Sequence, residues 1–305
     1  MRAVVLRSHG GPEVLTIEEV DDPTPGREEL LVDVEHTAIN RADVLQRMGM
    51  YPDPRVRALE IPGLEYSGVV AAVGDDVAGW SVGDRVMGIE AGGCYASRVV
   101  THSRQALPVP DTVASNDAAA IPEVFLTAWD ALVVQGGLTS GRWALVHAGA
   151  SGVGTAAIQI AKAIGARIAV TCSVGKMDAC RDLGADVVLD YAGDDFSEEA
   201  PFDLIIDIGG RNRLSKLRRA LTRTGTLVIT GGEGGGRLTG GAGRQLRALL
   251  LSPFVRQRLT AFISKEGAEH RQAVHDLVER GEIAAPVTAA YRLDRVSEAL
   301  RDLEA

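Results

Sequence analysis

Apolar positions follow two different rhythms along this chain. Up to residue 120 they come in short alternating runs. Leu30, Val32 and Val34 stand against Asp33 and Glu35, the period-two pattern of a strand with one buried face. Residues 4–7, 15–20, 65–73 and 95–100 read as further strands. Gly74, Gly79, Gly83 and the Pro23-Thr24-Pro25-Gly26 connector punctuate them. Asn40 looks like the start of a short helix, with Asp43 on the same side of its first turn. Tyr51-Pro52-Asp53-Pro54 is a constrained loop. Many short strands between Gly and Pro turns predict a compact, partly barrel-like β domain.

From residue 121 the rhythm changes. Residues 121–132 read as a helix that leads out of the first domain. Residues 142–147 form a short apolar strand, followed by the small-residue turn Ala148-Gly149-Ala150-Ser151-Gly152-Val153-Gly154. Residues 155–164 then carry Ala157, Ile160, Ala161 and Ile164 at helical spacing. Strands at 168–171, 187–189, 204–207 and 226–230 alternate with helices at 176–183 and 212–221, which predicts a parallel sheet. Residues 236–248, rich in Gly and Arg, read as a mobile segment. Beyond them come an edge strand at 259–264, a helix at 268–280, an extended stretch at 286–290 and a last helix at 293–303.

Composition narrows the picture. The 305 residues are 46% hydrophobic, enough for two domains with sizeable cores. A net charge of −9 with 4% aromatics argues against nucleic-acid and anionic-membrane binding. Arg211-Asn212-Arg213 and Arg223 accordingly read as a solvated basic helix face. No apolar run is long enough to span a bilayer. Cys94, Cys172 and Cys180 show neither metal-site spacing nor a disulfide framework, so the cytoplasm is the expected compartment.

The strand–glycine turn–helix–strand frame is the context a dinucleotide pyrophosphate requires. Gly149, Ser151, Gly152, Val153 and Gly154 are the candidates to hold it, mostly through backbone N–H groups at a helix N-terminus. Ser151 takes the middle glycine position of the fingerprint. An NAD site wants a carboxylate after the second strand; Thr171-Cys172-Ser173-Val174-Gly175-Lys176 has none. Ser173 and Lys176 suit a 2′-phosphate instead, which favours NADPH. Gly209 could lie against the adenosine or simply turn the chain. Ser151 and His147 lack the ordered partners of a catalytic triad, and His147 reads as a core histidine.

Five blocks carry a resemblance. They are Asn40-Arg41-Ala42-Asp43-Val44-Leu45-Gln46-Arg47-Met48-Gly49-Met50-Tyr51-Pro52, Pro62-Gly63-Leu64-Glu65-Tyr66-Ser67-Gly68, Val82-Gly83-Asp84-Arg85-Val86, Ile121-Pro122-Glu123-Val124-Phe125-Leu126-Thr127-Ala128 and His147-Ala148-Gly149-Ala150-Ser151-Gly152-Val153-Gly154. Over nearly its whole length the chain resembles the medium-chain dehydrogenase/reductase superfamily, and within it the zinc-free quinone oxidoreductases related to zeta-crystallin. The resemblance implies an α/β fold. A Rossmann-type parallel-sheet cofactor domain, residues 121–264, would be inserted in a β-rich, GroES-like catalytic domain made of residues 1–120 and 265–305. It implies a homodimer and NADPH-dependent hydride transfer to a quinone or conjugated enone. Reduction of an enoyl thioester or other activated alkene, and non-enzymatic NADPH binding of the crystallin type, stay open beside it.

Zinc-dependent relatives carry a cysteine where this chain has Ala38-Ile39-Asn40, a histidine where it has Leu64, and a four-cysteine lobe that it lacks, so no metal is expected. Family members also continue beyond this last helix into a glycine turn and a final strand. The resemblance points Asn40 and Tyr51 at the acceptor oxygen, where an amide and a phenol can donate. It sets Thr127, Gly231 and Gly232 near the nicotinamide and Tyr191 near the 2′-phosphate. Asp43 is expected to orient Asn40 or Arg41, and Glu65 to serve as an inter-domain support.

Overall fold

The computed structural model describes residues 1–51, 61–210, 212–231, 242–262 and 267–304. In chain order the first elements are β1 (Arg2–Leu6), β2 (Leu15–Glu19), β3 (Glu29–Thr37), α1 (Arg41–Arg47), β4 (Glu65–Val73), β5 (Arg85–Ile89), β6 (Arg98–His102), β7 (Leu107–Pro108) and the single turn α2 (Ser115–Ala118). α3 (Pro122–Trp129) continues through a π-helical turn, Asp130–Gln135. Then follow β8 (Trp143–His147), α4 (Gly152–Ala163), β9 (Arg167–Cys172), α5 (Met177–Asp182), β10 (Val187–Asp190), β11 (Phe202–Asp207), α6 (Leu214–Ala220), β12 (Leu221–Ile229), α7 (Ala242–Leu251), β13 (Arg258–Ala261), α8 (Ala268–Glu279) and α9 (Val296–Glu304).

Contacts divide the chain into two units, Met1–Glu123 with Ala284–Ala305, and Val124–Ile283. The second break falls later than the expected 264/265, because α8 belongs with the parallel-sheet unit. Pairing also shifts one strand. Residues 95–97 were expected to open a strand, but β6 begins at Arg98, where it pairs with β3, and Ala96 makes only an isolated bridge to Ala3. Tyr95 is instead turned inward.

In the first unit an antiparallel sheet runs β6-β3-β4-β5-β7, beside the β1-β2 hairpin. The alternation in β3 works as the sequence implies: Leu30 and Val32 are buried, while Asp33 and Glu35 face water. Those two apolar residues pack with Tyr66, Val70, Val86 and Val99. A second small core joins Val4, Leu6, Val44 and Tyr95 to Val296 and Leu300 of α9, so the last helix completes this unit. Arg47 of α1 reaches Glu304 of α9 at 3.0 Å with its own side chain buried.

In the second unit a parallel sheet runs β10-β9-β8-β11-β12-β13. Its central strands, Ala144–Val146, Ile168–Val170 and Leu204–Ile206 among them, are buried on both faces and so read as unbroken apolar runs. The order reverses between β8 and β11, where His147 lies opposite Asp207. Ligands of open α/β sheets bind beyond the carboxyl ends of the strands at such a reversal. The segment expected to be mobile at 236–248 carries α7 from Ala242 onward, with Ala248 buried in the core; residues 232–241 lie outside the described residues. β13 stands at the sheet edge as expected. Among the described residues no helix is long and apolar enough to cross a membrane.

Candidate functional site

The turn after β8 is built by three devices. Ala148 adopts a left-handed φ of 60° and swings the chain off the strand. A Cβ on Gly149 would meet the Val170 Cβ at 2.4 Å, and one on Gly154 would meet the Ala148 carbonyl at 2.3 Å, so both glycines are required by close packing. Ser151 caps α4: its hydroxyl donates to Ala148 O at 2.7 Å and accepts from Gly154 N at 3.1 Å. The helix begins at Gly152, three residues before the expected start, so the glycine turn is itself its first turn. The Gly152 and Val153 N–H groups keep no acceptor among the described residues. Two unused donors at the positive end of a twelve-residue helix fit a pyrophosphate.

At the end of β9 the register Cys172↔Asp190 sets Ser173 beside Tyr191, whose backbone N–H donates to Cys172 O at 3.0 Å. Ser173 is half-buried and its side chain makes no cap bond. Lys176 is exposed and Tyr191 is 61% exposed. A carboxylate does stand nearby, Asp190, but it ends β10 and accepts from Ala192 N at 3.1 Å. This edge offers a hydroxyl and an ammonium to an anion. Gly209, after β11, has open space where a Cβ would be. Gly231 is different: a Cβ there would overlap the Ile208 carbonyl, so its own fold demands glycine. Gly232 lies outside the described residues. Thr127 is half-buried on α3.

One buried charge at the sheet reversal escaped the sequence reading. Asp207 is fully buried at the end of β11 and pairs with Arg244 of α7. Burial pushes the Asp207 carboxyl up despite that cation. His147 is buried, bonds Thr171 Oγ1 at 3.0 Å and lies 3.3 Å from the Asn212 amide. Burial, with the Arg244 charge, lowers its pKa to about 4, so it is the neutral core histidine the sequence suggested.

In the first unit α1 gathers a buried polar network. The Asn40 backbone N–H donates to Asp43 Oδ2 at 2.6 Å, closing the first turn. The Asn40 amide nitrogen donates to Glu65 Oε1 at 2.6 Å, and the Glu123 backbone N–H to Glu65 Oε2 at 2.8 Å. Tyr95 OH donates to Asp43 Oδ2 at 2.8 Å. Asn40 is 8% exposed, and Asp43, Glu65 and Tyr95 are each 1% exposed. Burial raises Asp43 to about 7 and Glu65 to about 8; the bonds from Asn40, Tyr95 and Glu123 pull the other way. Asp43 Oδ1 is left without a partner. Asp43 thus holds the Asn40 backbone at the start of α1, and Glu65 holds the Asn40 amide. Tyr51 is half-buried beyond the opposite end of α1, and residues 52–60 of its loop lie outside the described residues. Tyr95 had no sequence signal, since its partner is 52 residues away.

This donor set does not fit the zinc site of the alcohol dehydrogenases. Leu64 is a buried apolar side chain, and Asn40, Asp43 and Glu65 are engaged with one another. Cys94 is buried and burial pushes its thiol well up.

Comparison with known proteins agrees with this architecture. Residues 26–111 match the alcohol dehydrogenase GroES-like domain, and residues 152–279 match the zinc-binding dehydrogenase family. A phenolphthiocerol/phthiocerol polyketide synthase protein of Mycobacterium tuberculosis is 38% identical over 194 residues, 62% of this chain; the match spans only 9% of that protein. Among solved structures, an NAD-dependent alcohol dehydrogenase is 30% identical with a TM-score of 0.85, covering 100% of this chain and 96% of that one. The Escherichia coli quinone oxidoreductase complexed with NADPH is 27% identical with a TM-score of 0.85 and the same coverage of both chains. With its GroES-like unit, its β10-β9-β8-β11-β12-β13 parallel sheet and these matches, the chain belongs to the medium-chain dehydrogenase/reductase superfamily of oxidoreductases, and its structure is similar to the quinone oxidoreductases of that superfamily.

Proposed function

We propose that this protein is a zinc-independent reductase that uses NADPH to reduce a quinone or a conjugated enone. The observation that carries the reading is the β8–α4 turn, with two unused N–H donors and no carboxylate at the end of β9. When bound, the reduced nicotinamide supplies the hydride. The chain's own residues do the rest. Gly152 and Val153 N–H hold the pyrophosphate, with Gly149 and Gly154 keeping the backbone close. Ser173 and Lys176 hold the 2′-phosphate beside Tyr191. Thr127 orients the carboxamide, and Gly209 leaves room for the adenosine.

On the acceptor side, Glu65 keeps one Asn40 amide hydrogen and leaves the other to donate to the acceptor oxygen. Tyr51 contributes a second donor from the far end of α1. Both bonds strengthen as negative charge grows on that oxygen. Water supplies the final proton.

The shared segment with a polyketide synthase favours a second acceptor class, an enoyl thioester. Steady-state rates with NADPH and NADH against a quinone, an alkyl enone and an enoyl thioester test the proposal. A quinone or enone rate above the thioester rate, with NADPH preferred, agrees with it. A thioester-only or NADH-only enzyme contradicts it. The working assembly is proposed to be a homodimer in the cytoplasm.

A further inference from the structure

The parallel-sheet unit carries a cationic concavity at the end of its sheet opposite the β8–α4 turn. Arg218 and Arg219 of α6, Arg223 near the start of β12, and Arg256 just before β13 line an open hollow of about 470 Å³ together with Ser215 and Gln257. Six strand residues separate Arg223 from the carboxyl end of β12, about 20 Å at strand rise. The cofactor turn lies at the carboxyl ends of these parallel strands, so the two places are distinct.

The charge here is uncompensated. The chain holds 41 acidic and 32 basic residues. Even so, no carboxylate among the described residues pairs with any of these four arginines. Helix-end electrostatics favours Arg218 and Arg219 in the last turn of α6. It says nothing for Arg223 and Arg256, which belong to other elements. One arm is already fixed: Arg218 Nε donates to Gln257 Oε1 at 3.1 Å, and Gln257 Nε2 returns to Arg218 O at 2.7 Å. Arg219, Arg223 and Arg256 are exposed and keep their guanidinium donors for a ligand. Planar guanidinium forks match phosphate oxygens two at a time. A hollow of this size lies within the range of small-molecule sites.

We infer that this hollow binds a small molecule bearing two or more phosphate groups, at a site separate from that of the nicotinamide cofactor. The ligand neutralises four converging cations, and Gln257 holds Arg218 ready for it. The source of the phosphates, a free diphosphate or a phosphorylated adenosine, sets the arms of the test.

Inorganic pyrophosphate and adenosine 3′,5′-bisphosphate are titrated by calorimetry into the full chain with the cofactor site saturated by NADPH. The expected result is saturable binding near one per chain for at least one probe, weakened by added salt. Arg219→Gln/Arg256→Gln should lose at least tenfold in affinity, about 1.4 kcal/mol, with an unchanged melting temperature. Arg301→Gln, an exposed cation on α9, should bind as the parent does. Absence of saturation at about 10 mM, a Kd above the scale of weak specific binding, overturns the inference. So does an equal loss in Arg301→Gln. If a single-stranded RNA binds through the same arginines at least ten times more tightly, about 1.4 kcal/mol, the small-ligand assignment is also overturned.

Discussion

Asn40 and Glu65 are bound side chain to side chain at 2.6 Å in a buried site, across 25 residues of sequence. The carboxyl therefore decides which way the amide faces. It is also an acid whose pKa rises from 4.5 to about 8 on folding, through burial.

That shift has a definite sign. The folded state binds the Glu65 proton more tightly than the unfolded chain does. The stabilising contribution is present below the unfolded value of 4.5 and is lost as pH climbs to about 8. Asp43 acts in the same sense between 3.8 and about 7. Glu65→Gln removes one of these protons at all pH values. Urea unfolding from about pH 5 to pH 8 should show the stability of the parent falling relative to the variant, by at most about 1.4 kcal/mol per pH unit. A stability difference independent of pH contradicts the assignment.

Gly149 and Gly209 should respond differently to an added methyl group. Gly149→Ala forces its Cβ onto Val170 and should destabilise the cofactor-free protein by about 1–3 kcal/mol. Gly209→Ala meets nothing within 4 Å and should melt as the parent does. Its cofactor affinity should fall if the adenosine lies there as proposed. Thermal unfolding without ligand and calorimetric titration of NADPH separate the two effects.

Lys176→Ala should weaken NADPH by about 1–3 kcal/mol, the scale of a hydrogen bond to a charged group, and leave NADH nearly unchanged. Equal losses for both cofactors would remove the 2′-phosphate from this edge.

Arg244→Ala strands the fully buried Asp207 carboxyl without its cation. Denaturant unfolding should record a loss of about 3–5 kcal/mol. Adding Asp207→Asn should recover part of that loss, because an amide tolerates burial better than an unpaired charge.

What the sequence showed, and what it did not, divides along chain distance. The β8–α4 turn and the alternation of β3 could be read because helix caps, small-residue turns and period-two patterns are local. Asn40 could be placed at a helix start for the same reason. Its bond to Glu65, the Tyr95 hydroxyl on Asp43 and the Arg244–Asp207 pair could not, since each joins elements far apart in sequence. Residues 95–100 read as a strand in the sequence, but β3 and β6 pair only from Arg98, which leaves Tyr95 outside the strand. Arg244 sat in a Gly- and Arg-rich stretch whose composition resembles a linker, and α7 forms because its apolar side packs against β13 and the core at Ala248.

The central proposal is hydride transfer with Asn40 as an oxygen donor. Its most direct test is stopped-flow transfer from NADPH at saturation to an alkyl enone, comparing the parent with Asn40→Ala and Tyr51→Phe. Benzoquinone serves as a more reactive control. Loss of a donor to developing charge should lower kcat and kcat/KM together, by about 10²–10³-fold for a well-placed donor. Cofactor affinity should be unchanged, and the loss should be smaller with benzoquinone. Asn40→Ala also removes a cap worth about 0.5–2 kcal/mol, so a folding control accompanies it. Transfer to the enone at the parent rate in Asn40→Ala, with NADPH bound normally, would contradict the account.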